Sequence, residues 1–144
     1  AIAPDNGGGL TAGVASPSLQ DAEELQAKSD ACVAAGKPQI KKVIYPRQDD
    51  LNTALMAGEV DAMSADSPVT GFAVKTSGGQ LEAAGSVFNS APYGWPVDKE
   101  SGLAHSLQLA LQHLIETGEY RTIATMWGVE KGMIDTPAIN GAVR

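Results

Sequence analysis

Apolar and polar residues alternate along the first 90 positions in a pattern that predicts strands followed by helices. Short apolar runs that end at Gly, Pro or Asn are typical of buried strands, and apolar positions three or four residues apart are typical of helices that cover a sheet. The predicted strands cover residues 10–15, 40–45, 60–65 and 80–87. The predicted helices cover residues 19–35, 49–57 and 68–76.

Two of these helices begin at sequences that favour helix capping. Ser18 is the expected N-cap of the first helix, and Asp21 three residues later completes a capping-box pattern. Ser67 can cap the third helix, with Pro68 in the first helical position. Because alternating strands and helices need crossover connections, the pattern predicts an α/β three-layer sandwich with a mostly parallel central sheet over residues 10–88.

The pattern changes after Pro92, where one short extended piece is followed by two C-terminal helices. Ser101 is expected to cap the first of them, and the second covers residues 119–127, before an irregular tail. The apolar stripe of the first helix consists of Leu103, Leu107, Ala110, Leu111, Leu114 and Ile115. Such a stripe needs an apolar surface to cover, and one short extended piece does not supply it.

The composition of the chain fits one globular domain, or one and a fraction, since 43% of the 144 residues are hydrophobic and 19% are charged. Ten Lys and Arg against 17 Asp and Glu give a formal charge of −7, so neither nucleic acid nor an anionic bilayer is an expected partner. The longest uncharged stretches are shorter than the roughly 20 apolar residues that span a bilayer. No membrane insertion is therefore expected, and any targeting signal is expected to have been removed.

Polar residues follow two of the predicted strands directly, at Ser16–Pro17–Ser18 and at Asp66. The carboxyl ends of parallel strands share one end of a sheet, which is where open α/β sheets bind ligands. The helix start at Ser18 suits a carboxylate, because a helix N-terminus offers N–H groups and the positive end of the helix dipole. Asp66 carries the opposite charge, so the two together suit a zwitterion. The alternative interpretation is that both are ordinary capping residues.

Other candidate residues are secondary. Gln48 follows the second strand at the same end of the sheet, and Tyr93 is an aromatic residue that can contact a ligand as well as pack. His105 and His113 are about 80° apart around one helix, too far round to bind one metal ion. The chain has no motif that activates a nucleophile or cradles a phosphate, so no catalytic residue, metal or cofactor is predicted.

Five stretches of the chain resemble the extracytoplasmic solute-binding proteins of polar amino acid ABC importers, the bilobal type II receptors. They are GVASPSLQ (13–20), SDACVAAGKPQI (29–40), ALMAGEVDAMSADSPVTGFAVKTSGG (54–79), FNSAPYGWPV (88–97) and IETGEYRTIATMWGVEKGMIDTPAING (115–141). The G-x-V-D-A-x-x-x-D and APYG elements are the most specific of these, and the resemblance covers nearly the whole chain from Leu10 onward. It implies a periplasmic-binding-protein-like lobe that binds a solute and is not an enzyme.

The resemblance also implies roles for individual residues. In the family a Thr or Ser in the turn after the first strand of the second lobe holds the ligand's α-carboxylate, and Ser18 is the matching residue. The family's Asp after the D-A strand holds the α-ammonium and falls on Asp66, and the Gln of a Tyr-Pro-x-Gln turn falls on Gln48. The expected ligand-binding set is thus Ser16, Ser18, Gln48, Asp66 and Tyr93.

The expected partners follow from the same family. They are a small-molecule amino acid, a first lobe and an ABC permease, and the expected location is extracytoplasmic, either periplasmic or tethered to the cell surface. Residues 1–9 would be a linker or hinge remnant and residues 10–88 the solute-binding lobe. Residues 89–144 would be the hinge return and the C-terminal helices, which in the family pack on the first lobe.

Because the first lobe is missing, we expect a truncated or engineered fragment that binds amino acids weakly or not at all by itself. Its uncovered apolar stripe is expected to cause self-association. The first helix runs back antiparallel to its strand, which would place Cys32 near residues 8 and 9, where some relatives carry a partner cysteine.

Two other functions remain open. A few relatives of this fold are dehydratases that act on small carboxylates, but that activity needs a general acid or base in the cleft, and no histidine falls near Ser18 or Asp66 in the pattern. The second alternative is a scaffold or interaction fragment without a ligand, since the chain carries only half of a cleft.

Overall fold

The computed structural model describes residues 6–141. These residues divide into two compact units, the first ending at Ser86 and the second beginning at Val87. Residues 1–5 of the predicted linker and residues 142–144 of the predicted C-terminal segment lie outside the described residues.

The first unit is built on a parallel sheet of three strands in the order β2-β1-β3. The strands are β1 at Thr11–Ala15, β2 at Lys41–Tyr45 and β3 at Ala62–Met63. The central strand β1 pairs along its whole length with β2 and over two residues with β3. The parallel α/β architecture predicted from the alternating pattern is therefore confirmed.

A helix follows each strand of this sheet. They are α1 at Leu25–Ala34, α2 at Gln48–Met56 and α3 at Ser67–Thr76. A π-helical segment at Gln20–Glu24 leads directly into α1, so the long helix predicted after the first strand forms with a widened first part.

One face of β1 packs on α1. Successive side chains of a strand point to opposite faces, so Ala12 and Val14 share a face. They form one buried cluster with Leu25 and Cys32 of α1 and with Ile40. Val14 is fully buried, which makes this cluster the centre of the first unit.

The opposite face of β1 packs on α2. Gly13 points to this face, and a methyl group added to it would overlap the Cδ1 atom of Leu51, a fully buried residue of α2. The same methyl group would lie 3.4 Å from Tyr45 and 3.5 Å from Val60. Glycine thus lets α2 approach the sheet closely, and helices on both faces produce the three-layer arrangement.

The return of α1 brings Cys32 to the start of β1. A Cβ atom built on Gly8 would lie 3.5 Å from the Cβ atom of Cys32. That separation falls within the range of about 3.5–4.5 Å found between disulfide-bonded residues. The expectation that Cys32 lies near this part of the chain is confirmed, and its thiol is free and buried.

The prediction of a strand at residues 80–87 is wrong, because this segment has no strand structure. Gly85 interrupts it with a φ of 78°, and Val87 is 59% exposed. Only Leu81 and Val87 are large apolar residues, which is too few to hold a fourth strand on the sheet. The extended piece at residues 93–97 is likewise not a strand.

The starts of three helices also differ from the prediction. Gly102, not Ser101, is the N-cap of the first C-terminal helix. Asp66, not Ser67, is the N-cap of α3, and Pro68 is the second residue of that helix. The Asp21 carboxylate, which was expected to complete the capping box, pairs with Lys42.

The second unit contains the two predicted C-terminal helices, α4 at Leu103–Thr117 and α5 at Glu119–Trp127, followed by a short 3-10 turn at Glu130–Gly132. Gly118 joins the helices with a φ of 81°, a conformation that favours glycine. Every residue of α4 is at least partly exposed. The exposed large apolar residues of the two helices are Leu103, Leu109, Ile123, Met126 and Trp127. Among the described residues, none of the helices has the length and apolar character required to cross a bilayer.

We expect Gly13→Ala to lower the free energy of unfolding by about 1–3 kcal/mol, because the methyl group forces Leu51 out of its packed position. Urea unfolding followed by circular dichroism measures this. Gly94→Ala is the matched control, since a methyl group there meets no atom within 4 Å, and its effect should stay within about 0.5 kcal/mol.

A double variant tests the cause of that loss. If the overlap with Leu51 is responsible, adding Leu51→Ala to Gly13→Ala should cost less than the sum of the two single changes. Strict additivity, or a Gly13→Ala protein as stable as the Gly94→Ala control, would contradict the close packing of α2 on β1.

Candidate functional site

Four of the five predicted site residues lie at one end of the sheet. Because β1, β2 and β3 are parallel, they all finish at the same end, which we call the carboxyl edge. Ser16 and Ser18 follow β1, Gln48 begins the helix after β2, and Asp66 follows β3. The strand order places the turn after β1 between the other two.

A side-chain hydrogen bond connects the turn after β1 to the start of α3. The Nε2 group of Gln20 donates to Oδ1 of Asp66 at 2.8 Å, although the two residues are 46 positions apart. Gln20 is two residues beyond Ser18, so this bond joins the segment that carries the predicted carboxylate site to the predicted ammonium site. The carboxyl of Asp66 is thus directed toward the Ser18 turn.

Ser18 is held at the start of the helical segment. Its hydroxyl oxygen accepts a hydrogen bond from the Asp21 backbone N–H at 3.1 Å, and its carbonyl accepts one from Ala22 at 3.0 Å. The capping role predicted for Ser18 is therefore confirmed. A hydroxyl that accepts one hydrogen bond can still donate its own hydrogen, so capping is compatible with binding a carboxylate.

An ion pair anchors the same turn to the edge strand β2. The Lys42 ammonium lies 3.0 Å from the Asp21 carboxylate and also donates to the Asp21 carbonyl at 2.9 Å. The hydrogen bond from Lys42, followed by one from Ser16, lowers the pKa of Asp21 below its usual value, against an opposing effect of burial. Ser16 thus hydrogen-bonds to the same carboxylate that pairs with Lys42. The ion pair keeps the start of the helical segment beside the sheet.

A second carboxyl lies within electrostatic range of Asp66. Partial burial raises the pKa of Glu24; the positive charge of Lys28 opposes this rise, and the negative charge of Asp66 adds to it. Glu24 ends the π-helical segment that Gln20 begins. The surroundings of Asp66 therefore favour a positively charged group over a neutral one.

The other two candidates have different surroundings. The Gln48 amide donates to Asn52 Oδ1 at 2.9 Å and to the Met63 sulfur at 3.5 Å, which ties it to α2 and β3. Tyr93 belongs to the second unit, where its side chain is 66% exposed.

The described residues offer no metal centre. Within residues 6–141, no group of three or more His, Cys, Asp or Glu side chains is arranged to hold a metal ion. His105 and His113 both lie exposed on α4.

Sequence reasoning missed Gln20 and Lys42. Gln20 falls within the helix predicted at residues 19–35, and its position directly after the Ser18 turn places it at the carboxyl edge, where polar side chains of open α/β sheets converge. Lys42 lies inside a predicted strand, and a period of two along β2 could have placed it on the same face as Ile44 but not beside Asp21. Both contacts depend on the packing of segments distant in sequence.

The parallel sheet with helices on both faces fits a periplasmic-binding-protein-like lobe. The arginine-binding protein ArgT of Corynebacterium glutamicum is 38% identical to the chain over 139 residues, which cover 96% of the chain and 46% of that protein. The resemblance to polar amino acid solute-binding proteins is thereby confirmed, and the chain matches part of one such protein. It spans about half the length of the curated relative that it matches. No family model and no solved structure matches it.

We expect the Lys42–Asp21 pair to stabilise the first unit in a pH-dependent way. Asp21 has a lowered pKa when folded, so its contribution is fully present above the pKa of the unfolded chain, about 3.9, and is lost as the pH falls through the lower folded value. Lys42→Met should therefore lower the free energy of unfolding at pH 7, and this loss should shrink as the pH falls below about 3.9.

Urea unfolding at a series of pH values measures this difference. Lys41→Met, a change of the neighbouring lysine on the same strand, is the control and should show no such pH dependence. A Lys42→Met protein whose loss of stability is equal at pH 7 and at low pH would contradict the pairing.

Proposed function

We propose that the chain is the amino-acid-binding lobe of an extracytoplasmic receptor for an ABC importer. The observation that carries the proposal is the hydrogen bond from Gln20 to Asp66, since it joins the Ser18 turn and an acidic residue at the carboxyl edge. The similar protein from Corynebacterium glutamicum is an arginine-binding protein, so arginine is the first solute to test.

In this proposal the two ends of an amino acid bind to different segments. The Ser18 hydroxyl and the N–H groups that begin the helical segment donate to the α-carboxylate, a group that a helix start attracts through its dipole. Asp66 accepts from the α-ammonium through a charge-assisted hydrogen bond. Gln48, at the same edge, is the candidate contact for the side chain of the solute.

The lobe by itself should bind weakly. A hydrogen bond to a charged group contributes about 1.5–3 kcal/mol net, whereas association costs an estimated 4–15 kcal/mol. Two such hydrogen bonds on an open edge together contribute about 3–6 kcal/mol, which offsets at most the lower part of that association cost. A second lobe that closes over the ligand would add contacts and exclude water, and the exposed apolar residues of α4 and α5 suit a partner surface of that kind.

We expect L-arginine to bind to the chain with a millimolar or weaker affinity. In an NMR titration, backbone signals of the turn at residues 16–20 and of the segment around Asp66 should shift together. Asp66→Ala should abolish the shifts, because the ammonium loses its acceptor. Asp30→Ala is the matched control, since it removes the same charge from the far end of α1.

Two results would contradict this site. One is the absence of any response at residues 16–20 in the unaltered chain up to tens of millimolar arginine, and the other is a response that persists in Asp66→Ala. Micromolar binding in calorimetry would contradict the expected weakness of a single lobe.

We also expect the chain to self-associate through α4. Of the predicted stripe, Leu103 is 47% exposed and Leu107 and Leu111 are half-buried, and burying such side chains against a second copy is favourable at about 25 cal/mol per Å². Sedimentation velocity over a range of concentrations should show a rising average mass. Leu103→Gln should weaken the association and His105→Gln should not; a strictly monomeric chain at all concentrations would contradict the expectation.

A further inference from the structure

The acceptor proposed for the ligand ammonium already accepts a hydrogen bond from the chain itself. Gln20 directs its Nε2 hydrogen to Oδ1 of Asp66 at 2.8 Å, the contact that an ammonium group would make with the same oxygen. This bond is exposed to solvent, whereas the backbone around Gln20 is held by the bonds from Asp21 and Ala22 to Ser18. The amide can therefore leave Asp66 without a change in the helix start.

We propose that Gln20 is a placeholder for the ligand, whose side-chain amide occupies the Asp66 oxygen in the empty lobe and is displaced by the incoming α-ammonium. Gln20 then sets both the affinity of the site and its preference for a charged donor. This inference rests on the proposed function, because it takes Asp66 as the ammonium acceptor.

The exchange favours a cation over a neutral donor. Gln20 supplies a neutral N–H, which carries no charge to set against the negative charge of Asp66. An ammonium donates a charge-assisted hydrogen bond and also interacts favourably with the nearby Glu24 carboxyl. A neutral ligand group would only replace one neutral hydrogen bond by another and would gain nothing from the exchange.

The neighbourhood of Gln20 leaves room for such a movement. Leu19, which precedes it, is 70% exposed, so the helix start is not buried under other parts of the first unit. Gln20 is also the first residue of the π-helical segment, and π-helical turns occur frequently at functional sites.

The test compares Gln20→Met with the unaltered chain, using L-arginine and N-acetyl-L-arginine as probes. Methionine keeps the length of the side chain and removes the donor. Since a net hydrogen bond of about 0.5–1.5 kcal/mol corresponds to roughly two- to tenfold in affinity, Gln20→Met should bind L-arginine about that much more tightly. N-acetyl-L-arginine offers a neutral N–H in place of the ammonium, so its affinity should rise by less than that of L-arginine in Gln20→Met.

Gln26→Met is the matched control. Gln26 donates from Nε2 to Asp30 at 2.8 Å, the same type of bond on the far part of the first unit, and its replacement should leave the affinity for L-arginine unchanged.

A direct readout is the NMR signal of the Gln20 side-chain amide. It should move when L-arginine is added to the unaltered chain. In Asp66→Ala it should be displaced in the same direction before any ligand is present, because the acceptor has been removed.

The outcomes separate this inference from the proposed function. Weaker binding of L-arginine by Gln20→Met would show that Gln20 positions Asp66 or contacts the ligand, and an equal gain for both probes would show a general effect; either result overturns the placeholder. An Asp66-dependent response without any gain in Gln20→Met overturns the placeholder alone. No Asp66-dependent response in any variant overturns both.

Discussion

The parallel pairing of β1 with a strand on each side is the constraint on which the first unit depends. It buries β1 between two helices, so its side chains must be small or apolar on both faces, as Ala12, Gly13 and Val14 are. It also makes all three strands finish at the same end of the sheet. Turns from distant parts of the sequence are thereby brought to one carboxyl edge, and polar residues in those turns become neighbours.

Electrostatics organises that edge into two parts. Lys42 pairs with Asp21 and so holds the turn after β1 against the outer strand β2. Gln20, one residue before Asp21, contacts Asp66 on the opposite side, beyond β3. The start of the helical segment, which attracts an anion, and an acidic residue, which attracts a cation, are thus held together by the same turn. The proposed function rests on this separation of charge, because a zwitterion carries both signs.

The chain is similar to a solute-binding protein about twice as long, and this similarity bears on the exposed apolar residues of the second unit. An amphipathic helix such as α4 stabilises a protein by burying its apolar face, yet every residue of α4 is at least partly exposed. The proposed function accounts for this exposure through a partner surface, since a receptor of two lobes would cover these helices. The same reasoning explains why a single lobe is expected to hold its ligand weakly.

The sequence by itself determined the order of strands and helices, because periodicity and breaker residues are local properties. The second C-terminal helix begins and ends where the pattern predicts, and the carboxyl-edge position of Ser18 and Asp66 follows from the order of elements alone. The strand predicted at residues 80–87 does not form, because this segment has too few large apolar side chains to stay on the sheet.

Only the tertiary structure decided which side chains meet. The contact between Gln20 and Asp66 depends on the register of β1 with β3 and on the π-helical segment, and neither can be derived from local periodicity. The approach of Cys32 to Gly8 likewise depends on how α1 packs back along its strand. Contacts of this kind join positions far apart in the chain, so they are set by packing and not by the residues next to each in sequence.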